Sequence, residues 1–384
     1  MADSRPHPPA VRGLSRRQWL GCAGALGAGA ALPAGAQGDA PRTLAVAQIA
    51  DMSAAHQDVG RDFLTGSRAA WQEVNARGGI KSRPVQHLVF ETDGSPATLR
   101  TAVQAAGADS ACLALSGCVA DDAAAAIAAL PSTGAPLAQI APWLLRQYVD
   151  GTDTVFRVFP DYQAQIAHAL KSLANIGVQR LSVLFADSRL AQQLQPSVAQ
   201  AAAALRLQVR TIAPPGAGTG QAAGRSPPDA LLLFIGGTPE LHGFVRQLQL
   251  PAGGQCYVIA LADVNLQVLA QLGGVPRGVS VIATQAVPAV TAGLPVVRAY
   301  RDALARLYDE PPSPLGLAGF IAARYTAEVL AGVSGPLTRA SVLAALRQRP
   351  TVQVGGFSVG YQDGRLVTPP VTQTMLSAHG RIVG

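Results

Sequence analysis

The chain is predicted to be an α/β protein of two Rossmann-like lobes, and three observations carry that expectation. Short apolar runs alternate with segments of helical period along most of its 384 residues. Gly, Pro or Asp punctuates nearly every change of pattern. Apolar residues make up 49% of the chain and charged residues 14%, with abundant Ala and Gly, which suits close packing of helices on sheets. That length exceeds one ordinary core, so about two domains are expected.

The opening unit sets the pattern. Leu44-Ala45-Val46-Ala47-Gln48-Ile49 reads as a strand, Asp51 to Gly60 as a polar loop, and a helix is expected from Arg61. Phe63, Ser67, Ala70 and Val74 recur at spacings of three and four, giving one face to lie on a sheet. Gly78-Gly79 offers the left-handed position that ends a helix, with Ile80 behind it as the apolar closing contact. In open α/β sheets ligands settle beyond the carboxyl ends of the strands, so the loop Asp51 to Gly60 is the first candidate binding surface.

Strand Val85–Phe90, a helix from Pro96 to Gly107, strand Ala111–Ser116, helix Asp122–Leu130 and strand Pro136–Ile140 continue the alternation. Such order implies right-handed crossovers and a largely parallel sheet. Thr154–Val158 is expected to carry the chain to a second lobe. There follow helix Ala164–Ile176, strand Leu181–Phe185, helix Leu190–Leu205, extended Gln208–Ile212 and a Pro/Gly-rich loop from Ala213 to Pro228. Strand Leu231–Ile235, a helix after Pro239, strand Tyr257–Leu261, helix Val264–Leu272 and strand Val279–Thr284 complete that lobe. Helices Pro295–Tyr308, Leu315–Leu330 and Thr338–Gln348 return to the first. The tail from Phe357 to Val383 reads as short strands and turns, with Pro369-Pro370 barred from a central ladder position.

Composition narrows the function. Removing the four arginines and one aspartate of residues 1–36 reduces the net charge from +7 to +4, and no Lys/Arg cluster or basic-aromatic interleaving remains, which argues against nucleic acid. Ser15-Arg16-Arg17-Gln18-Trp19-Leu20 resembles a twin-arginine export signal, followed by an Ala/Gly-rich run and the small residues Ala34-Gly35-Ala36. Residues 1–36 are therefore expected to be a signal peptide cleaved after Ala36. A membrane anchor from Trp19 to Ala36, or a lipoprotein site at Cys22, is the weaker alternative. Cys112, Cys118 and Cys256 read as buried small apolar residues, with a local Cys112–Cys118 disulfide as the alternative.

No catalytic constellation stands out. The histidines from His56 onward are isolated, and no His-Glu-x-x-His, metal-spaced Cys pair or Gly-x-Ser-x-Gly occurs. Gly216-Ala217-Gly218-Thr219-Gly220 lacks the Lys of a phosphate loop and reads as a linker. Asp121-Asp122 could pair for acid-base work, but Asp before an Ala run more often caps a helix. Neither an enzyme nor a bound cofactor or metal is expected.

Several short stretches occur in one order: Gln48-Ile49-Ala50-Asp51-Met52-Ser53, Glu73 to Ile80, Phe156-Arg157-Val158 with Tyr162, Thr284-Gln285, Pro295 to Tyr300, Gly319 to Arg324 and Gly355-Gly356-Phe357. Together they resemble the leucine/isoleucine/valine-binding family of periplasmic solute receptors, over nearly the whole chain after residue 41. The resemblance implies a type I periplasmic-binding-protein fold: two Rossmann-like lobes with central, mostly parallel sheets joined by a multi-strand hinge. Residues 42–155 plus 286–350 would form lobe 1, and 156–285 plus 351–384 lobe 2. It implies a periplasmic, monomeric receptor that traps a small solute, such as a branched-chain amino acid, an amide or a related organic acid. The solute would pass to an ABC permease in the inner membrane. The alternative is a sensory module that reports occupancy to a signalling partner.

By the same resemblance, ligand contacts would come from Ser53, Asp121, Gln139 and Ala141 in the first lobe, and from Tyr162, Asp187, Gly237 and Asp263 in the second. Tyr162 is the strongest of these, since a ring there could cover a ligand and add its hydroxyl; its bland reading is a half-buried aromatic beside the hinge. Ser53 could equally be an ordinary turn residue. Departures from the family pattern also count. Asp121 aligns with a hydroxyl-bearing position, so either it turns away to cap its helix or the ligand is not an ordinary α-amino acid. Gln165 stands where the family usually has an acidic residue, and Ala318-Gly319-Phe320 replaces Glu-Gly-Tyr.

Overall fold

A strand with no polar edge must lie in the middle of a sheet, and β1 (Leu44–Asp51) is buried at every position. The computed structural model describes residues 43–54, 56–118, 121–129, 136–144, 154–212, 229–348, 351–362, 365–367, 371–377 and 380–383, the side chains at 121–122, 361–362, 365 and 367 excepted. Residues 1–36, expected from sequence to be an export signal, Ala120, the loop from Ala213 to Pro228 and Pro369-Pro370 lie outside those residues.

The first sheet contains β1, β2 (Val85–Thr92), β3 (Cys112–Ser116), β4 (Ala138–Ile140) and the short β5 (Val155–Phe156), in the order β2-β1-β3-β4-β5, all parallel. Helices α1 (Gln57–Ala76), α2 (Pro96–Ala108) and α3 (Asp121–Ala128) connect these strands. Helix α1 begins four residues earlier than its periodicity suggests. The reason is local: the Ser53 carbonyl accepts from the backbone N–H groups of His56 at 2.9 Å and Gln57 at 2.8 Å, so the polar loop closes into the first turn. Its other end is as expected. Gly78 and Gly79 take φ of +97° and +73°, the Gly79 N–H reaches the Val74 carbonyl at 2.9 Å, and Ile80 is buried.

The chain then enters α4 (Tyr162–Asn175), β6 (Arg180–Phe185), α5 (Ser188–Ala204), β7 (Gln208–Ile212), β8 (Leu231–Ile235), α6 (Thr238–Gln247), β9 (Cys256–Ala260), α7 (Leu266–Gln271) and β10 (Val279–Gln285). The second sheet runs β7-β6-β8-β9-β10 in parallel, then adds β14 (Thr372–Leu376) and β15 (Ile382–Val383) antiparallel at one edge. Both sheets share the same order of parallel strands. Their switch points therefore fall between β1 and β3 and between β6 and β8.

Three helices return to the first sheet: α8 (Pro295–Leu307), α9 (Pro314–Gly332) and α10 (Arg339–Arg347). Helix α9 is apolar nearly all round and buried along most of its length, as a helix sandwiched between other elements must be. It crosses α1 where glycines meet. A Cβ on Gly66 would stand 1.7 Å from the Gly316 carbonyl oxygen, and one on Gly319 would stand 1.9 Å from that of Phe63.

The tail divides in two. Strands β11 (Val352–Val354), β12 (Phe357–Gln362) and β13 (Arg365–Val367) form a separate antiparallel sheet. Val352, Val354, Phe357 and Val359 join the core built on α1, α8 and α9, because their alternation gives the hairpin one apolar face. Only β14 and β15 join the second sheet, so residues 351–384 do not travel as one piece to the second lobe. Cys112, Cys118 and Cys256 are free and buried, and the alternative Cys112–Cys118 disulfide is absent. Burial pushes their thiols up to about 11, 12 and 11 respectively.

Candidate functional site

The site is built where the carboxyl ends of the two sheets meet. On the first sheet, backbone bonds tie the exit loops together. The Gly117 N–H donates to the Ile140 carbonyl at 2.9 Å, Ala141 to Phe156 at 2.9 Å, and Trp143 to Cys118 at 2.8 Å. Ala141 is buried and left-handed, with φ of +49°, so the chain turns sharply after β4. Beyond that turn, the rings of Trp143, Phe159 and Phe63 form an aromatic cluster, with centroids 5.1 Å apart for Trp143–Phe159 and 6.0 Å for Phe63–Trp143. The indole Nε1 of Trp143 is buried without a hydrogen-bond partner.

On the second sheet the assembly is polar. Tyr162 is the first residue of α4 rather than part of a loop, because the Asp161 side chain caps that helix by accepting from the Ala164 N–H at 2.9 Å. The buried Tyr162 hydroxyl donates to the Asp263 carboxylate. Thr238 Oγ1 lies 3.5 Å from the Asp263 carbonyl and accepts from the Asn265 N–H at 2.9 Å. Asn265 Oδ1 then caps α7 by accepting from Gln267 and Val268. The start of α4, the start of α6 and the loop before α7 are therefore one hydrogen-bonded group.

Gln165 braces that group from below. Its Nε2 donates to the Pro160 carbonyl at 3.1 Å, while its Oε1 accepts from the Ala262 N–H and from Thr284 Oγ1, both at 2.9 Å. The side chain is fully buried, so a neutral amide that can donate and accept does there what a carboxylate could not.

Seven of the eight residues singled out from sequence fall into three sets, with Asp121 apart. Tyr162, Gly237 and Asp263 come together, Gly237 as the N-cap of α6 just before Thr238. Gln139 and Ala141 lie at the end of β4, but the Gln139 amide donates to the Ala124 carbonyl of α3 at 3.1 Å and so points into the helix layer. Ser53 and Asp187 do turn and capping work. The Ser53 N–H donates to Asp51 at 2.8 Å, its Oγ lies 3.2 Å from His56 Nδ1, and the exposed Asp187 caps α5 through the Leu190 N–H at 2.8 Å. Asp121 opens α3, and its side chain lies outside the described residues. Burial pushes the Asp51 carboxyl up, but bonds from His56 and Ser53 and the His56 charge outweigh it and hold the group below its ordinary range. Asp62, Trp143, Thr238, Gln165 and Asn265 were not singled out as contacts. Asn265, ahead of an apolar run at a strand's end, is the one that capping rules could have flagged.

The lobes also touch through the far side of this group. Asn265 Nδ2 donates to Asp62 Oδ2 of α1 at 3.1 Å, and Gln267 Nε2 to the Pro312 carbonyl at 2.8 Å. Beside these bonds lies a pocket of about 230 Å³ lined by α1, α7, α8 and the α8–α9 loop. Among the described residues no three His, Cys, Asp or Glu side chains gather to hold a metal ion.

Two parallel sheets of one order, joined by crossing segments and meeting at their carboxyl ends, define the bilobal solute-binding class. The family described as "Periplasmic binding protein" matches residues 43–376, and this chain belongs to it. No match was found among curated protein sequences. Solved structures agree on the fold. An extracellular ligand-binding receptor from Verminephrobacter eiseniae aligns at TM-score 0.75 and 18% identity, covering 89% of this chain and 100% of that one. A leucine-binding protein from Thermotoga maritima aligns at 0.70 and 17%, covering 89% and 97%. A fatty acid ABC transporter substrate-binding protein from Thermomonospora curvata aligns at 0.69 and 16%, covering 89% and 90%.

Proposed function

We propose that this chain is an exported, monomeric receptor of the periplasm, sent there by the twin-arginine segment of residues 1–36. In this reading it closes on a small solute and delivers it to an ABC permease. The observation that carries the reading is the half-buried Tyr162–Asp263 pair at the meeting of the two sheets, in a chain of the periplasmic binding family. A carboxylate accepting a phenol in a group that also contains Thr238 is suited to orienting a polar end of a ligand. The buried rings of Phe63, Trp143 and Phe159 pack behind the exit loops of the first sheet, an apolar backing suited to its body. Leucine and fatty acids, the solutes named for two structural relatives, both join a polar end to an aliphatic body, and the proposed solute is an amphipathic acid, amide or amino acid of that kind.

Ligand that touches both lobes stabilises the closed form by contacts the open form lacks. Micromolar affinity corresponds to about 8 kcal/mol, within reach of a few directed hydrogen bonds and an apolar wall. Titration calorimetry with leucine, a branched-chain amide, phenylacetate and a medium-chain fatty acid tests the proposal. At least one should bind with a positive thermal shift, and Tyr162→Phe should weaken it about tenfold, the loss of one hydrogen bond to a charged group. Absence of heat and of thermal shift with every probe would overturn the reading.

A further inference from the structure

Three carboxylates share the pocket between α1, α7 and the α8–α9 loop: Asp58 and Asp62 from α1, and Glu310 from the loop. Arg61 is the one cation among the lining residues. Apart from Glu310 on the α8–α9 loop, the faces that close over Asp62 are uncharged. They present Asn265, Gln267 and Gln271 from α7, Ser313 from the loop, and Tyr300 from α8, whose hydroxyl accepts from the Ser313 N–H at 3.2 Å. The buried Gln267 Oε1 has no hydrogen-bond partner, so the lining also holds an amide acceptor in want of a donor. The contact joins the lobes, because Asp62 lies in the helix that follows β1 and Asn265 in the loop that follows β9.

We propose that this pocket is a proton-operated clasp: with Asp62 protonated it holds the two lobes together, and with Asp62 charged beside Asp58 and Glu310 it lets them part. Asn265 links the clasp to the solute site, standing two residues beyond Asp263 and sharing Thr238 with it. Closing α7 over Asp62 removes water from a carboxylate that already faces two others. Burial is the chief cause that holds the Asp62 carboxyl above its ordinary value of 3.8, with Glu310 and Asp58 adding to it and the bonds from Ser313 and Asn265 opposing. The sign follows from linkage. A carboxyl whose value is raised on closure binds its proton more tightly in the closed form, so closure is favoured as pH falls toward the ordinary range and lost as pH rises through the raised value.

The clasp rests on the reading of the lobes as halves of a closing receptor, and its test needs no solute. Spin labels are placed on exposed Gln104 of α2 and Gln193 of α5, each changed to Cys, in a chain carrying Cys22→Ser; Cys112, Cys118 and Cys256 are buried and escape labelling. Pulsed electron resonance should show the short-distance population several-fold larger at about pH 5 than at about pH 8. Asp62→Asn should keep the short distance at both. Asn265→Asp retains a good helix cap but adds a fourth carboxylate, and should shrink the short population at the higher pH while leaving it near the parent's at the lower. Equal populations in the parent at both pH values, or a pH dependence that survives Asp62→Asn, would overturn the clasp and leave the receptor standing. One unchanging distance under every condition and in every variant would overturn both.

Discussion

The two lobes repeat one strand order and cover it differently. In the first, α1 and α9 approach until backbone meets backbone, through Gly66, Gly316 and Gly319, and Ser67 Oγ donates to the Gly319 carbonyl at 3.2 Å. In the second, the sheet is covered by side chains. Leu241, Phe244 and Val245 of α6 lie on one face, and Ile166, Leu170 and Val198 of α4 and α5 on the other. Their buried polar groups differ as well. The first sheet carries a line across adjacent strands, in which His87 Nε2 lies 3.0 Å from Gln48 Oε1 and Gln48 Nε2 donates to the Gly117 carbonyl at 2.9 Å. The second gathers its bonds on Gln165, which sits beneath the candidate site. One lobe is a rigid wall set by close backbone approach, and the other is a sheet whose loops are braced by one amide.

Substitution can break each arrangement. Gly319→Ala should be the most damaging, since its Cβ would overlap the Phe63 carbonyl and force α1 and α9 apart. A loss of more than about 3 kcal/mol in denaturant unfolding is expected, with α6 and α4 keeping their packing. Gln165→Ala comes next. It leaves the Ala262 N–H and the Thr284 hydroxyl buried without their acceptor, at a cost of about 2–4 kcal/mol. Because Ala262 precedes Asp263, solute affinity should fall further in this variant than in any first-lobe variant of equal stability, and equal losses would remove the distinction between wall and brace.

The smallest effect belongs to His87. Burial, with a lesser contribution from the Arg68 charge, pushes its imidazole down to about 4 from 6.5. The folded chain therefore holds it neutral, with Nε2–H donating to Gln48, while the unfolded chain takes up a proton near its ordinary value. Stability from this residue is present above about pH 6.5 and should fall by about 1–3 kcal/mol as pH drops toward 4. His87→Gln should flatten that slope in melts recorded across the range. An unchanged slope would mean that the polar line of the first sheet carries no acid sensitivity.

Much of the architecture was legible because it rests on local rules. Apolar runs such as Leu231–Ile235 marked strands, and the spacing in α1 marked its buried face. The glycine pair at 78–79 marked its end. What escaped depended on single backbone or side-chain partners. The early start of α1 turns on the Ser53 carbonyl, which no residue type advertises. Tyr162 looked like loop because its capping Asp161 lies outside the apolar period. The tail looked like one unit, although its hairpin carries an apolar face for α9 and its next strand a free edge for β10.

By itself the sequence determined a two-lobed α/β chain, because hydrophobic period and turn chemistry act over a few residues and survive reading in one dimension; the solute-binding family came from the resemblance of its short ordered motifs. Only the tertiary structure decided that Tyr162 meets Asp263, that Gln165 ties Pro160 to Ala262 and Thr284, and that Asp62 meets Asn265. Most of those partners stand far apart along the chain, and a carboxylate's or an amide's role is set by the water it loses and the groups it then faces, which folding alone supplies.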